Sequence, residues 1–165
     1  MLLYFIRHGI AIDREDPECP AEDAKRPLTA EGEVRTHEAM EGMRAFKIDP
    51  GALVSSPFLR ALQTAKIAAK VFRVPAEKIR TTRALEPDEE PTKIFEELAG
   101  LTAKEVLCFG HAPHIDRAIA HALGARGCIT GLKKAGAACI KLDAVNPGHG
   151  ELLWLATPKM LRGMG

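Results

Sequence analysis

Leu2-Leu3-Tyr4-Phe5-Ile6-Arg7-His8-Gly9 is the stretch on which the fold of this chain turns. Five apolar residues in a row, branched or aromatic, are too few for a helix and read as a strand covered on both faces. The run stops abruptly in an arginine, a histidine and a glycine. Open α/β sheets place their chemistry just beyond the carboxyl ends of strands. His8 is therefore a candidate nucleophile for a phosphoryl group and Arg7 a candidate binder of that group. The rest of such a pocket has to come from elsewhere in the chain.

Outward from that strand, apolar runs alternate with helical patterns. Asp13 to Pro20 is polar, acidic and broken by prolines, and reads as an irregular surface loop. Thr29 is a candidate N-cap, with Glu31 and Glu33 suited to a positive helix start and Val34, Met40, Met43 and Phe46 as a core-facing stripe. Ala52–Ser55 reads as a second strand. Ser56 as N-cap and Pro57 as first helical residue predict a helix whose inner face holds Phe58, Leu62, Ala65, Ala69 and Phe72. Lys78–Thr82 is a minor strand, Glu86 to Pro91 an acidic loop and Thr92–Leu98 a short helix. Glu105–Phe109 is another buried strand, ending in Gly110-His111-Ala112 before a helix from Pro113. Ala137–Leu142 and Glu151–Leu155 close the chain, separated by the turn signal Asn146-Pro147-Gly148.

Strands alternating with helices predict a three-layer α/β/α sandwich with a mostly parallel central sheet and an antiparallel closing pair. At 165 residues, without repeats or linkers, residues 1–165 read as a single domain with no large inserted cap domain. The formal net charge of +1 gives no footing for a nucleic-acid or membrane partner. Cys19, Cys108, Cys128 and Cys139 lack C-x-x-C spacing and read as free thiols of a reducing compartment. The five-residue apolar start is too short for a signal or spanning segment, so the expected location is the cytoplasm.

Three strand ends deliver basic or imidazole groups: Arg7-His8-Gly9, Ser55-Ser56-Pro57-Phe58-Leu59-Arg60 and Gly110-His111-Ala112. In a parallel sheet these turns share one edge, so Arg7, His8, Arg60 and His111 can converge. Two guanidinium forks match the oxygens of a phosphoryl group in flight, and the first turn of a helix also favours an anion. His111, His114 and His121 invite a zinc reading, but no carboxylate or cysteine stands at matching spacing, so no metal is expected. His114 and His121 are expected to be partly exposed, and Trp154 to pack.

Arg7-His8-Gly9 after a first strand resembles the signature of the histidine phosphatase superfamily, the phosphoglycerate-mutase-like fold. Pro27-Leu28-Thr29-Ala30-Glu31-Gly32, Ser55-Ser56-Pro57 with Arg60 and Thr64, and Gly110-His111 match its later landmarks in order. The short length, Ser56 to Ala61 and Trp154-Leu155 with Pro158-Lys159 are similar to its branch of small SixA-type phosphohistidine phosphatases. The resemblance implies His8 as the phosphorylated nucleophile and Arg7, Arg60 and His111 as the phosphate pocket. It implies no cofactor, a phosphorylated partner of the histidine phosphotransfer type, and phosphate as product. Arg7 and Arg60 would push His8 toward its free base, the form that attacks phosphorus.

Two departures bear on the substrate. Ile10 and Ala11 follow the triplet where many members of the family carry an acid or an amide. No glutamate is plainly placed as a proton donor; Glu86 is the candidate, with Asp88, Glu89 and Glu90 beside it. An alkoxide leaving group needs protonation, whereas an imidazole leaves readily near neutral pH. A phosphohistidine side chain on a protein is therefore the expected substrate. The alternative is a small phosphoester, with Glu86 or Asp88 as acid.

Overall fold

In a computed structural model, which describes residues 1–143 and 148–165, six strands form one sheet in the order β3-β2-β4-β1-β5-β6. The strands are β1 (Leu2–Arg7), β2 (Ala52–Ser55), β3 (Ile79–Thr81), β4 (Glu105–Gly110), β5 (Ala137–Lys141) and β6 (Glu151–Ala156). The first four run parallel, β5 runs antiparallel to β1, and β6 antiparallel to β5. Asn146 and Pro147 of the closing turn lie outside the described residues.

Alternation along β1 feeds two cores. Leu3 and Phe5 join Ile94, Phe95 and Leu98 of α3 (Lys93–Ala99) and Ile115, Ala118 and Ile119 of α4 (His114–Ala122). Tyr4 and Ile6 join Met40 and Met43 of α1 (Ala30–Met43), Ala65 and Ala68 of α2 (Leu59–Val71), and Leu161 of α5 (Pro158–Arg162). This is the three-layer sandwich expected for a short, all-apolar central strand, which has to be covered on both sides. Among the described residues no large inserted domain interrupts this sandwich. No helix among the described residues is long and apolar enough to cross a membrane.

Some local expectations move. Thr29 caps α1, its hydroxyl accepting from the Gly32 N–H at 2.9 Å, but Val34 is 59% exposed and no part of the core stripe. Besides Gly32 and Gly42, the buried positions are Thr36, Ala39, Met40 and Met43, which recur three and four apart, and Val34 falls out of phase with them. The second helix starts at Leu59, with Phe58 in the cap position, two residues later than Pro57 predicted. Its buried face holds the expected Ala65 and Ala69 but is centred on Ala61, Thr64 and Ala68 with Arg60, leaving Phe58 and Leu62 half-buried. His114 is buried rather than partly exposed, because it shares a face with Ala118 and Ala122 at intervals of four. His121 is half-buried against Phe95, and Trp154 packs on Tyr4 and stacks on Phe46 at 4.5 Å between ring centroids.

Candidate active site

Register brings the strand ends together. Arg7 pairs with Gly110 across β1 and β4, so the next residues, His8 and His111, face each other with ring centroids 5.1 Å apart. Ser55 pairs with Phe109, which sets Ser56 beside His111, and the Ser56 hydroxyl lies 2.9 Å from His111 Nε2. The same hydroxyl accepts from the Phe58 N–H at 3.3 Å, at the start of α2. Arg60, in the first turn of that helix, lies over the Phe58 ring at 5.1 Å. Arg7, His8, Arg60 and His111 all line one half-open cleft of about 640 Å³, together with Lys134.

The His8 ring is fixed by its own backbone. Nδ1 lies 2.7 Å from the Gly9 carbonyl, which can only accept, so Nδ1 carries the proton and Nε2 the lone pair. Burial drives the His8 pKa down to about 3, with the charges of Arg60, Arg7 and Lys134 acting in the same direction and the Gly9 carbonyl against it. Burial thus outranks the two arginines in setting the His8 pKa. His111 is pushed down to about 2, again first by burial, then by His8, Arg60 and His114. Near neutral pH both rings are uncharged. Gly9 has to be glycine, since a Cβ there would sit 2.2 Å from the Thr36 hydroxyl.

The arginines are held by groups that no sequence motif marks. Arg60 Nη1 donates to the Asp23 carbonyl at 2.7 Å and Nη2 to Asp23 Oδ2 at 2.8 Å. Arg26 and Arg14 donate to Oδ1 of the same carboxylate. Burial works to raise the Asp23 pKa, but hydrogen bonds from Arg26 and Arg60 and the charges of Arg60 and Arg14 hold it at about 2. Arg7 Nη1 donates to the Leu132 carbonyl at 2.8 Å. Asp116, 4% exposed, accepts from Leu132 N–H at 3.0 Å and from Thr130 at 2.8 Å; burial lowers the Arg7 pKa, and the Asp116 charge opposes that shift. Thr64 joins the two halves, donating to the Arg60 carbonyl at 2.8 Å and accepting from Gly9 N–H at 3.0 Å.

In sequence, Asp23 shows only as one more acid in a polar loop. Asp116 carries a weak signal, an acid one position from the buried face of a helix. The loop read as irregular surface does bear exposed residues, yet Asp13, Arg14 and Glu15 also form a wall of the cleft. Pro87 and Asp88 line it as well. Glu86 does not line the cleft and pairs with Arg83 at 3.4 Å. Among the described residues no group of three or more His, Cys, Asp or Glu is disposed to hold a metal ion.

The sequence profile of the histidine phosphatase superfamily (branch 1) matches residues 3–86. An uncharacterised protein of Picosynechococcus sp. is 37% identical over 169 residues, spanning 98% of this chain and 99% of that protein. Among solved structures, the protein histidine phosphatase SixA, complexed with tungstate, superposes with a TM-score of 0.84 at 25% identity, covering 96% of this chain and 98% of its own. A phosphoserine phosphatase of Entamoeba histolytica shares the fold, with a TM-score of 0.70 at 14% identity over 97% of this chain and 98% of its own.

Proposed function

The chain belongs to the histidine phosphatase superfamily and is a phosphatase, and from that premise we propose that it hydrolyses phosphohistidine carried by a partner protein, through a phosphoryl-His8 intermediate. The observation that carries the mechanism is the state of His8: neutral, protonated on Nδ1 and set among Arg7, Arg60 and Lys134. Its Nε2 lone pair attacks phosphorus in line as the bond from phosphorus to the substrate nitrogen breaks. The electron pair goes to the leaving imidazole, which takes a proton from water. Arg7 and Arg60, with His111 beside them, stabilise the charge on the transferring oxygens. Water then attacks the phosphoryl group, the bond from phosphorus to Nε2 breaks, and phosphate leaves.

Likeness to SixA over nearly the whole chain supports phosphohistidine as substrate, and so does the half-open cleft, which suits a side chain projecting from a protein surface. Asp88 in the cleft wall favours a second reading, a small phosphomonoester whose leaving alkoxide it protonates. Turnover of a phosphohistidine peptide measured against phosphoserine separates the two. The proposal expects at least tenfold preference for the peptide and phosphate trapped on His8. Equal or better turnover of phosphoserine, lost in Asp88→Asn, would replace it.

A further inference from the structure

We propose that a second cavity, which shares Arg7 and Lys134 with the catalytic cleft, is an oxyanion site that takes a small tetrahedral anion of the phosphate class. It measures about 340 Å³, and Arg7, Arg35, Thr36, Lys133, Lys134 and Arg162 supply its polar lining, with no acidic residue among the lining groups. The cations come from β1, α1, α5 and the segment before β5, so positive charge meets the space from several sides. Such a field suits a compact, multiply charged anion better than a planar carboxylate.

Counter-charges do not fill the cavity. Arg35 pairs with Glu31, and Arg162 with Glu38 at 3.6 Å, but neither glutamate belongs to the lining. Lys133 and Lys134 have no carboxylate within ion-pair distance among the described residues. Two donors are also unused. Thr36 is fully buried and its hydroxyl has no hydrogen-bond partner, and neither has the buried Nε of Arg7. Buried polar groups are normally satisfied, and here an oxyanion would satisfy both while relieving the crowding of like charges. Liquid water takes about 30 Å³ per molecule, so the space holds phosphate with a few waters.

Arg7 and Lys134 line both cavities. An anion in the second one draws on the field that serves the first, so phosphate should restrain turnover in a way that substrate does not relieve. That consequence rests on the phosphatase reading; the binding itself does not.

The test is a titration of the whole protein with inorganic phosphate at constant ionic strength, followed by backbone amide NMR. Shifts at Gly32, Thr36 and Ala135 should saturate on their own curve, separate from shifts at Ala112. The Arg35→Ala/Lys133→Ala pair should weaken that curve at least fivefold and leave the cleft curve within twofold. Thr36→Val, which removes only the unpaired hydroxyl, should weaken it without loss of thermal stability. Absence of a second curve, its reproduction by sodium chloride or acetate, or its indifference to the paired substitution would overturn the site. In steady-state assays the paired substitution should abolish the inhibition that substrate does not relieve. If binding persists and that inhibition is missing, the coupling through Arg7 is wrong. A protein with no turnover and an intact second curve would fault the phosphatase reading and leave the site standing.

Discussion

The guanidinium of Arg60 and the carboxylate of Asp23 meet at 2.8 Å, and a second N–H of Arg60 donates to the Asp23 carbonyl at 2.7 Å. Two of the five guanidinium donors are thereby fixed, and the direction of the remaining three follows. The loop after the first strand, irregular in sequence, aims the second arginine of the cleft.

Removing that anchor should cost precision first. Asp23→Ala is expected to lower kcat/KM about tenfold, because one misplaced positioning group is enough to slow an oriented reaction by that order or more. In a double-mutant cycle with Arg60→Ala, measured on kcat/KM and on urea unfolding, the coupling should be about 1–3 kcal/mol. Additive effects would mean that Asp23 does not position Arg60.

His8 sets the pH dependence. In the fold its pKa lies at about 3, with burial as the chief cause; in the unfolded chain it returns to about 6.5. Between those values the unfolded chain binds a proton that the folded protein does not, so stability present above pH 6.5 declines as pH falls toward 3. The urea midpoint should therefore drop from pH 7 to pH 5. Phosphorylation of His8 in a single turnover should stay nearly constant over the same range, where a histidine of ordinary pKa would keep only about 3% of its free base. A rate that falls in proportion to that free base would remove burial as the control.

Thr64 bonds both halves of the site, and its loss should show in both stability and rate. Thr64→Val leaves the Gly9 N–H without its acceptor and strips the Arg60 carbonyl of its side-chain donor, at an expected cost of about 1–3 kcal/mol in urea unfolding. Thr64→Ser retains the hydroxyl and should recover most of the loss in kcat. Equal damage from both would assign the effect to packing.

Gly32 tests how closely α1 approaches the strand end. A Cβ there would lie 2.0 Å from the Ile10 carbonyl oxygen, which is backbone and cannot swing aside. Gly32→Ala is expected to destabilise by about 3 kcal/mol, the upper end of overpacking effects. Gly127→Ala, where nothing lies within 4 Å, should stay within about 0.5 kcal/mol of the parent in the same thermal scans.

Much of this molecule could be read in one dimension. The unbroken apolar run of β1 implied cover on both faces, and helices pack on both. The hydroxyl of Thr29 marked where α1 begins, and the strand ends marked where Arg7, His8, Arg60 and His111 would meet. Helix phase was less legible. The start of α2 lies two residues from where its capping residues put it and its inner face is turned from the expected one, and Val34 looked like core only because apolar character says nothing of phase.

What the sequence determined by itself was local: which segments extend, which coil, and which chemical groups stand at the ends of the strands. Periodicity, capping and turn chemistry act over a few residues, and a single chain records them fully. What only the tertiary structure decided was the company those groups keep. Asp23 reaches Arg60 across 37 positions of sequence, Asp116 holds the segment that holds Arg7, and burial rather than arginine charge sets the His8 pKa. Hydrogen bonds and desolvation depend on distances in space, and no spacing along the chain encodes those.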